Sequence, residues 1–454
     1  MLFAVLCAIH ELLNRGRWQM GLLYLLSAAV IPYVEGVLIF GVSIIDAFSD
    51  LLPFSWKIIS YESRKRMVVI VYILYLLLPL TTLAGGLWRK FRISTPAGRK
   101  QEQDSKTPPP LCFAKRSSGG NSWVKKPKLR YAVESLLLFG IAFAAVFFSH
   151  DNKRKTELEV DYYARHRMWP QVLVAARRYP DSFPIIHAVN RALYHTGRLS
   201  YEMFSHLQHP DALFLTAEGY KFTYWKKFDF YSDIGLMNLA ENALVESMEI
   251  YGEHPIILKR LALVNMVKGN IGAARIYLGA LSKTLFCADW ANNYLECLQS
   301  DPNLSTDDRI QHLRSLMLEK DYGFFSFEIE DILLDLLEKN SRNRMAFEYL
   351  MAWYMLNKRL DKFIQNTERL DDFDYRQIPR AYEEAMLVYV HSMRKAVDLR
   401  GRRFNPISRQ QFEGFNQVLN RYGGNKDAAF DELAKDYRNS YFFYYLYARP
   451  GKEK

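Results

Sequence analysis

Hydrophobic positions along the chain fall into two regimes that meet near residue 150. Before it they run together. Met67 to Trp88 contains no charged side chain, and Tyr131 to Ser149 holds a single carboxylate, Glu134, near one end. A helix needs about 20 apolar residues to cross the hydrocarbon of a bilayer, so both segments are long enough to span. Trp18 to Phe40 is a third candidate, interrupted by Pro32 and Glu35, while Met1 to Leu13 is apolar but short. Ile44, Ile45, Phe48, Leu51 and Leu52 recur at helical spacing before Pro53 and Trp56, which predicts an interfacial helix in an outer segment at 41–62.

After residue 150 the apolar residues return three and four apart, with no alternating strand pattern. The spacing predicts helices over 156–166, 170–178, 184–196, 199–208, 232–250, 255–268, 271–285, 288–299, 306–319, 326–339, 343–357, 359–369, 379–396, 408–422 and 426–437. Turns fall at Gly197-Arg198, Gly269-Asn270 and Asn357-Lys358, and Thr306 and Ser341 stand where helix caps are expected. About Gly269, Leu261 and Ala262 on one helix face Ala274 and Leu278 on the next, the large-and-small packing of a tetratricopeptide unit. The expected fold is all-α: N-terminal transmembrane helices in 1–88 and 131–149, then an irregular tetratricopeptide-like helical-repeat domain, an α-solenoid, over 151–454.

Charge adds a direction to this layout. Residues 1–150 hold 18 Lys+Arg against 8 Asp+Glu, whereas the remainder is nearly balanced, 42 against 41. Twelve of the basic residues lie in 89–130, among Pro108, Pro109, Pro110, Gly119 and Gly120, so this stretch reads as a disordered loop. Positive charge in short loops stays cytoplasmic, which puts 151–454 on the opposite side of the membrane. With the excess in the membrane half, the balance argues against a nucleic-acid reader.

Site chemistry is sparse. No phosphate loop, GxGxxG, GxSxG, HExxH or calcium loop occurs, and no cofactor, metal or catalytic residue is assigned. Asp371, Asp372 and Asp374 lack the glycine and distal glutamate of a calcium loop, and His206 with His209 lacks a third ligand. Cys287 and Cys297, ten residues apart, need a turn between them to bridge and are expected as unpaired core thiols. Two candidate sites remain. Glu35 is a carboxylate at a membrane depth where charge is costly, and Tyr220, Phe222, Tyr224, Trp225, Phe228 and Phe230 form an aromatic run suited either to partner binding or to a packed loop.

The stretches NLAENALVESMEIYG from 238, LALVNMVKGNIGAAR from 261, MAFEYLMAWYMLNKRLDKF from 345 and IPRAYEEAM from 378 resemble an uncharacterised Bacteroidota family of multi-pass inner-membrane proteins with a C-terminal tetratricopeptide-like domain of unknown function. The resemblance implies a bacterial inner-membrane protein with a helical-repeat tail, further spans upstream and no established activity, and the charge bias of the 89–130 loop then puts the repeats in the periplasm. Two functions are then expected. One is a membrane-anchored scaffold, embedded in lipid, whose repeats dock another protein or a cell-envelope polymer. The alternative is the rear part of a membrane enzyme or transporter, for example in lipid-linked glycosyl transfer, with its chemistry upstream. Asp46 and Asp50 are the outer-loop acids that fit the alternative. The short apolar run at Met1, without a basic flank, suggests that Met1 is not the natural start.

Overall fold

The computed structural model describes Ala8, residues 18–35, Leu136, Gly140, and residues 152–215, 224–319, 329–373 and 375–448. Every regular element among the described residues is helical. The chain divides into two compact units: Met1–Asp151 with Lys283–Phe286, and Asn152–Ser282 with Cys287–Lys454.

In the first unit, α1 (Trp18–Pro32) is apolar on all sides. Trp18, Leu22, Leu23, Leu26, Val30 and Ile31 are exposed along it. At 15 residues it is roughly 22 Å long. No described helix is long and apolar enough to cross a membrane. Apart from Leu136 and Gly140, the expected spans at 67–88 and 131–149, the interfacial segment at 41–62 and the basic loop at 89–130 lie outside the described residues.

The second unit is a stack of antiparallel helices: α2 (Asn152–Arg165), α3 (Trp169–Ala176), α4 (Phe183–His195), α5 (Leu199–Glu202), α6 (Pro210–Leu213), α7 (Tyr224–Ile234), α8 (Met237–Tyr251), α9 (Pro255–Lys268), α10 (Ile271–Leu281), α11 (Ala288–Ser300), α12 (Asp308–Leu316), α13 (Ile329–Lys339), α14 (Arg344–Leu356), α15 (Leu360–Gln365), α16 (Arg380–Met393), α17 (Pro406–Arg421), α18 (Lys426–Tyr437) and α19 (Tyr441–Tyr447). Proline in the first turn starts α3, α4, α6, α9 and α17, where its missing N–H is no loss.

The three expected turns close the same way. An amide two or three residues past each helix reaches back to the carbonyl five residues earlier: Arg198 to Leu193 at 2.7 Å, Asn270 to Asn265 at 2.8 Å and Arg359 to Tyr354 at 2.9 Å. Leu261, Ala262, Ala274 and Leu278 are fully buried between α9 and α10.

Four details depart from the sequence reading. The helix expected over 232–250 is two, α7 and α8, broken at Gly235, and α7 takes in the second half of the aromatic run. The expected 199–208 helix ends as a 3₁₀ turn, Met203–Ser205, and 359–369 passes into another, Asn366–Phe373. The caps are Asp307, which accepts from the Ile310 amide at 3.0 Å, and Asn343, which accepts from Ala346 at 3.1 Å, rather than Thr306 and Ser341. The aromatic C-terminal helix α19 had no counterpart in the periodicity, because seven residues are too few to show one.

Most helices pack on their chain neighbours, but α14 also packs on α5, α6 and α7. All but two of its residues, Arg344 and Trp353, are buried. The carboxylates buried with it are each held by donors. Glu348 accepts from Tyr375 at 2.6 Å and Arg344 at 2.8 Å, and Glu330 on α13 accepts from Tyr354 at 3.0 Å and Lys362 at 2.6 Å. On α16, Glu383 accepts from Ser408 at 2.6 Å, and Glu384 from the Tyr441 amide at 2.6 Å. Burying a carboxylate is costly unless donors meet it, and each of these is held, Glu348 through Oε1 alone with its buried Oε2 unpartnered, so these contacts fix how the late helices close.

Two glycines distinguish strain from collision. Gly269 has φ +76° and open space around a would-be Cβ, whereas Gly235 has φ +105° and a Cβ there would lie 2.3 Å from the Leu316 carbonyl oxygen. Gly269→Ala is expected to cost about 1 kcal/mol, from left-handed backbone strain alone. Gly235→Ala should cost upwards of about 3 kcal/mol, since two backbones must also separate. Urea unfolding of the two variants measures the difference, and equal losses would refute the close docking of the α7–α8 turn on α12.

Candidate functional site

The ends of α2, α4 and α7, one face of α12 and the entry to α14 line an open cavity of about 460 Å³. Helical spacing explains how each wall presents its side chains. Arg191, Tyr194 and His195 sit three and four apart on α4, Arg309, His312, Leu313 and Leu316 do so on α12, and Phe228, Asp229, Ser232 and Asp233 do so on α7. Arg165 and Arg167 come from the end of α2 and its following turn, Arg342 and Arg344 from the approach to α14. Six arginines and no lysine line the cavity, against two carboxylates.

Asp233 organises one wall. It accepts from Arg191 at 2.8 Å and lies 3.2 Å from His195 Nε2 and 3.6 Å from Arg167. Because a carboxylate only accepts, His195 places its proton on Nε2 there. The His195 ring lies flat on Trp169, 4.3 Å between centroids and 8° between planes, which fixes its direction. Burial alone would raise the pKa of Asp233, but the hydrogen bond from His195 and the Arg191 charge outweigh it, so the group is held below the usual carboxylate range. Asp229 is bound to Arg260 through both oxygens at 2.8 Å. Burial raises Asp229 and lowers Arg260, pushing each toward its neutral form, and their contact is what retains the charges.

The remaining cations are unevenly matched. Arg165 pairs with Asp161 at 3.0 Å and Arg344 with Glu348 at 2.8 Å. Arg167 shares Asp233 with Arg191, and Arg309 and Arg342 have no ion pair among the described residues. Arg191 is nine-tenths buried, yet its Nε–H has no acceptor. The wall is thus a set of forked donors with more positive than negative charge, a surface suited to an anion with several oxygens.

The residues singled out from sequence lie mostly elsewhere. Of the aromatic run, Phe230 is fully buried against Phe214 and Tyr349, and Phe228 is buried at the cavity wall beneath the Arg260 guanidinium. Tyr224 and Trp225 lie on α7, and Tyr220 and Phe222 lie outside the described residues. Glu35 is exposed just beyond α1. His209 packs edge-on against Phe183, Asp371 is paired with Arg400 and Arg402, and no group of three potential metal ligands occurs among the described residues. Cys287 and Cys297 are both free, but Cys297 is exposed on α11 rather than in the core. The arginine cavity was not foreseen, because its residues are spread from 164 to 345 with no local spacing to mark them.

Fold and cavity together define an all-α protein of stacked helical hairpins that carries a basic pocket. The chain belongs to a family of unknown function, DUF6057, whose model matches residues 1–448. No curated protein and no solved structure matches it.

Asp233→Asn leaves Arg191 buried without its counter-charge, which is expected to cost about 3–5 kcal/mol in urea unfolding. The Asp233 carboxyl titrates lower folded than unfolded, so its stabilisation is complete above the ordinary carboxylate range and is lost as pH falls through that range toward the folded value. The gap between wild type and variant should therefore close in acid. A gap that stays constant from neutral pH into acid would contradict this account.

Proposed function

We propose that the protein is a membrane-anchored, tetratricopeptide-like scaffold whose second unit docks an anionic partner, a protein or a cell-envelope component, on the periplasmic side. The observation that carries the docking role is the unbalanced arginine set of the cavity, with Arg309 and Arg342 unpaired among the described residues. Charges exposed for solubility are usually scattered and mixed in sign. Six arginines lining one cavity, all but Arg191 exposed to solvent, concentrate a field that draws in and orients an anion.

The anchor rests on two supports. The apolar runs at 67–88 and 131–149 are of spanning length, and α1 exposes Leu22, Leu23, Leu26, Val30 and Ile31, a continuous apolar surface better matched to lipid than to water. The basic loop at 89–130 sets the direction.

Single-cysteine variants in intact spheroplasts test the topology: an impermeant thiol reagent should label exposed Cys297 and spare Cys112. The reverse labelling would overturn the orientation. The docking role is tested by retention of the detergent-solubilised full chain on dextran sulfate at low salt. Arg309→Ala/Arg342→Ala should elute at clearly lower salt than wild type, and identical elution would remove the cavity as the anion site.

A further inference from the structure

We infer that the group held in the cavity is a phosphate, as a monoester or a diphosphate, seated among Arg167, Arg309 and Arg342. This rests on the reading of the cavity as an anion-docking site and names the ligand class.

The charge balance sets the valence. Asp161, Asp229, Asp233 and Glu348 each satisfy one arginine, Arg165, Arg260, Arg191 and Arg344 respectively. Arg309 and Arg342 then have no carboxylate among the described residues, and Arg167 has only the distant half-share of Asp233 at 3.6 Å. Nearly three positive charges face one space. A single carboxylate leaves most of that excess standing, whereas a phosphate monoester brings about −1.5 to −2 at neutral pH and a diphosphate more.

Donor chemistry points the same way. The three arginines come from three separate elements, the turn after α2, the first turn of α12 and the turn before α14, so a group seated among them draws its donors from three parts of the fold. A planar carboxylate offers two oxygens in one plane and suits one fork. A tetrahedral phosphate offers three oxygens that diverge and accepts from several forks at once. The absence of lysine from the lining fits recognition by forks rather than by point charges. The Nε–H of Arg191, buried and without an acceptor, adds a donor that the fold leaves unused beside the cavity.

The volume limits what surrounds the phosphate. About 460 Å³ admits a headgroup or a small phosphorylated metabolite, with Tyr194, His195, Phe228 and His312 as the ring-bearing residues of the lining. A lipid phosphate and a soluble phosphate share this chemistry.

Isothermal titration of the full chain in phosphatidylcholine nanodiscs, with inorganic pyrophosphate as the probe and succinate as a dicarboxylate comparator, tests the inference. Pyrophosphate should bind, succinate should bind at least tenfold more weakly, and Arg309→Ala or Arg342→Ala should each weaken pyrophosphate ~10- to 100-fold. Arg438→Ala, exposed and outside the cavity, should leave binding unchanged. Because Arg309 and Arg342 make no ion pair among the described residues, their variants are expected to unfold at or slightly above the wild-type midpoint, which separates lost binding from lost structure. Succinate binding as tightly as pyrophosphate would overturn the phosphate assignment and leave the anion-docking role standing. Binding of neither, with dextran sulfate retention also unaffected by the arginine variants, would overturn both. Nanodiscs doped with phosphatidic acid identify the source: abolished pyrophosphate binding marks a lipid headgroup, and undiminished binding marks a soluble phosphate, either result supporting the shared chemistry.

Discussion

A helix buried on every side cannot use the usual compromise of one apolar stripe and one wet face, and the second unit is arranged around α14, which is in that position. Its flanks must be covered by helices from distant parts of the sequence as well as by chain neighbours, and α5, α6 and α7 supply that cover. A regular solenoid, in which each repeat touches only the next, would leave α14 half exposed. The irregular hairpin lengths follow from this demand. Short α5 and α6, and the break at Gly235, let the early helices turn back onto a helix made more than a hundred residues later. The Asn343 side chain makes the same link directly: its Nδ2 donates to the Ile234 carbonyl at 2.9 Å, while its oxygen caps α14.

Burying a helix also buries its polar groups, and the solutions differ along its length. Away from the cavity, carboxylates and tyrosines satisfy one another: Glu330 with Tyr354, Glu348 with Tyr375, Glu384 with the start of α19. These contacts are short and fully enclosed, so losing one partner strands the other in a low dielectric. At the entry to α14 the pattern changes. Arg342 and Arg344 stand at the mouth of the helix with Arg309 opposite, and only Arg344 finds a carboxylate. The fold spends its acidic partners on the interior and leaves the cavity cationic.

Much of the helical layout was legible in the sequence, because long amphipathic helices announce themselves: α9 and α18 match their expected bounds, and α4, α11, α14 and α17 lie within two residues of theirs. The turns at Gly269 and Lys358 were legible for the same local reason. What failed was where tertiary packing overrides periodicity. The run from Phe214 to Tyr231 looked like a surface or a packed loop, since aromatic residues on successive positions show no stripe. In α7 those positions serve two walls at once: Phe230 enters the core and Phe228 with Asp229 faces the cavity. The site itself was invisible for a geometric reason. Arginines at 167, 191, 309, 342 and 344 are ordinary residues of exposed-looking helix ends until α14 draws those ends together.

Which arginines the fold requires is itself informative. Arg191 and Arg260 are buried against carboxylates and belong to the framework, and Arg314 donates to the carbonyls of Met266 and Val267 at 2.7 and 2.9 Å, bolting α12 to α9. Arg309, one turn earlier on the same helix, makes no such bond, and Arg342 precedes a capping residue that does its work through backbone and amide alone. Side chains of this second kind bring like charge to one cavity without an ion-pair partner among the described residues and weaken the fold slightly. Their collection at one cavity, opposite framework arginines already matched to acids, is therefore a cost that packing does not explain and that a bound anion would remove. The same closure that buries α14 thus creates the field at its mouth, and the arginines that stability requires are distinct from those that the proposed docking role would use.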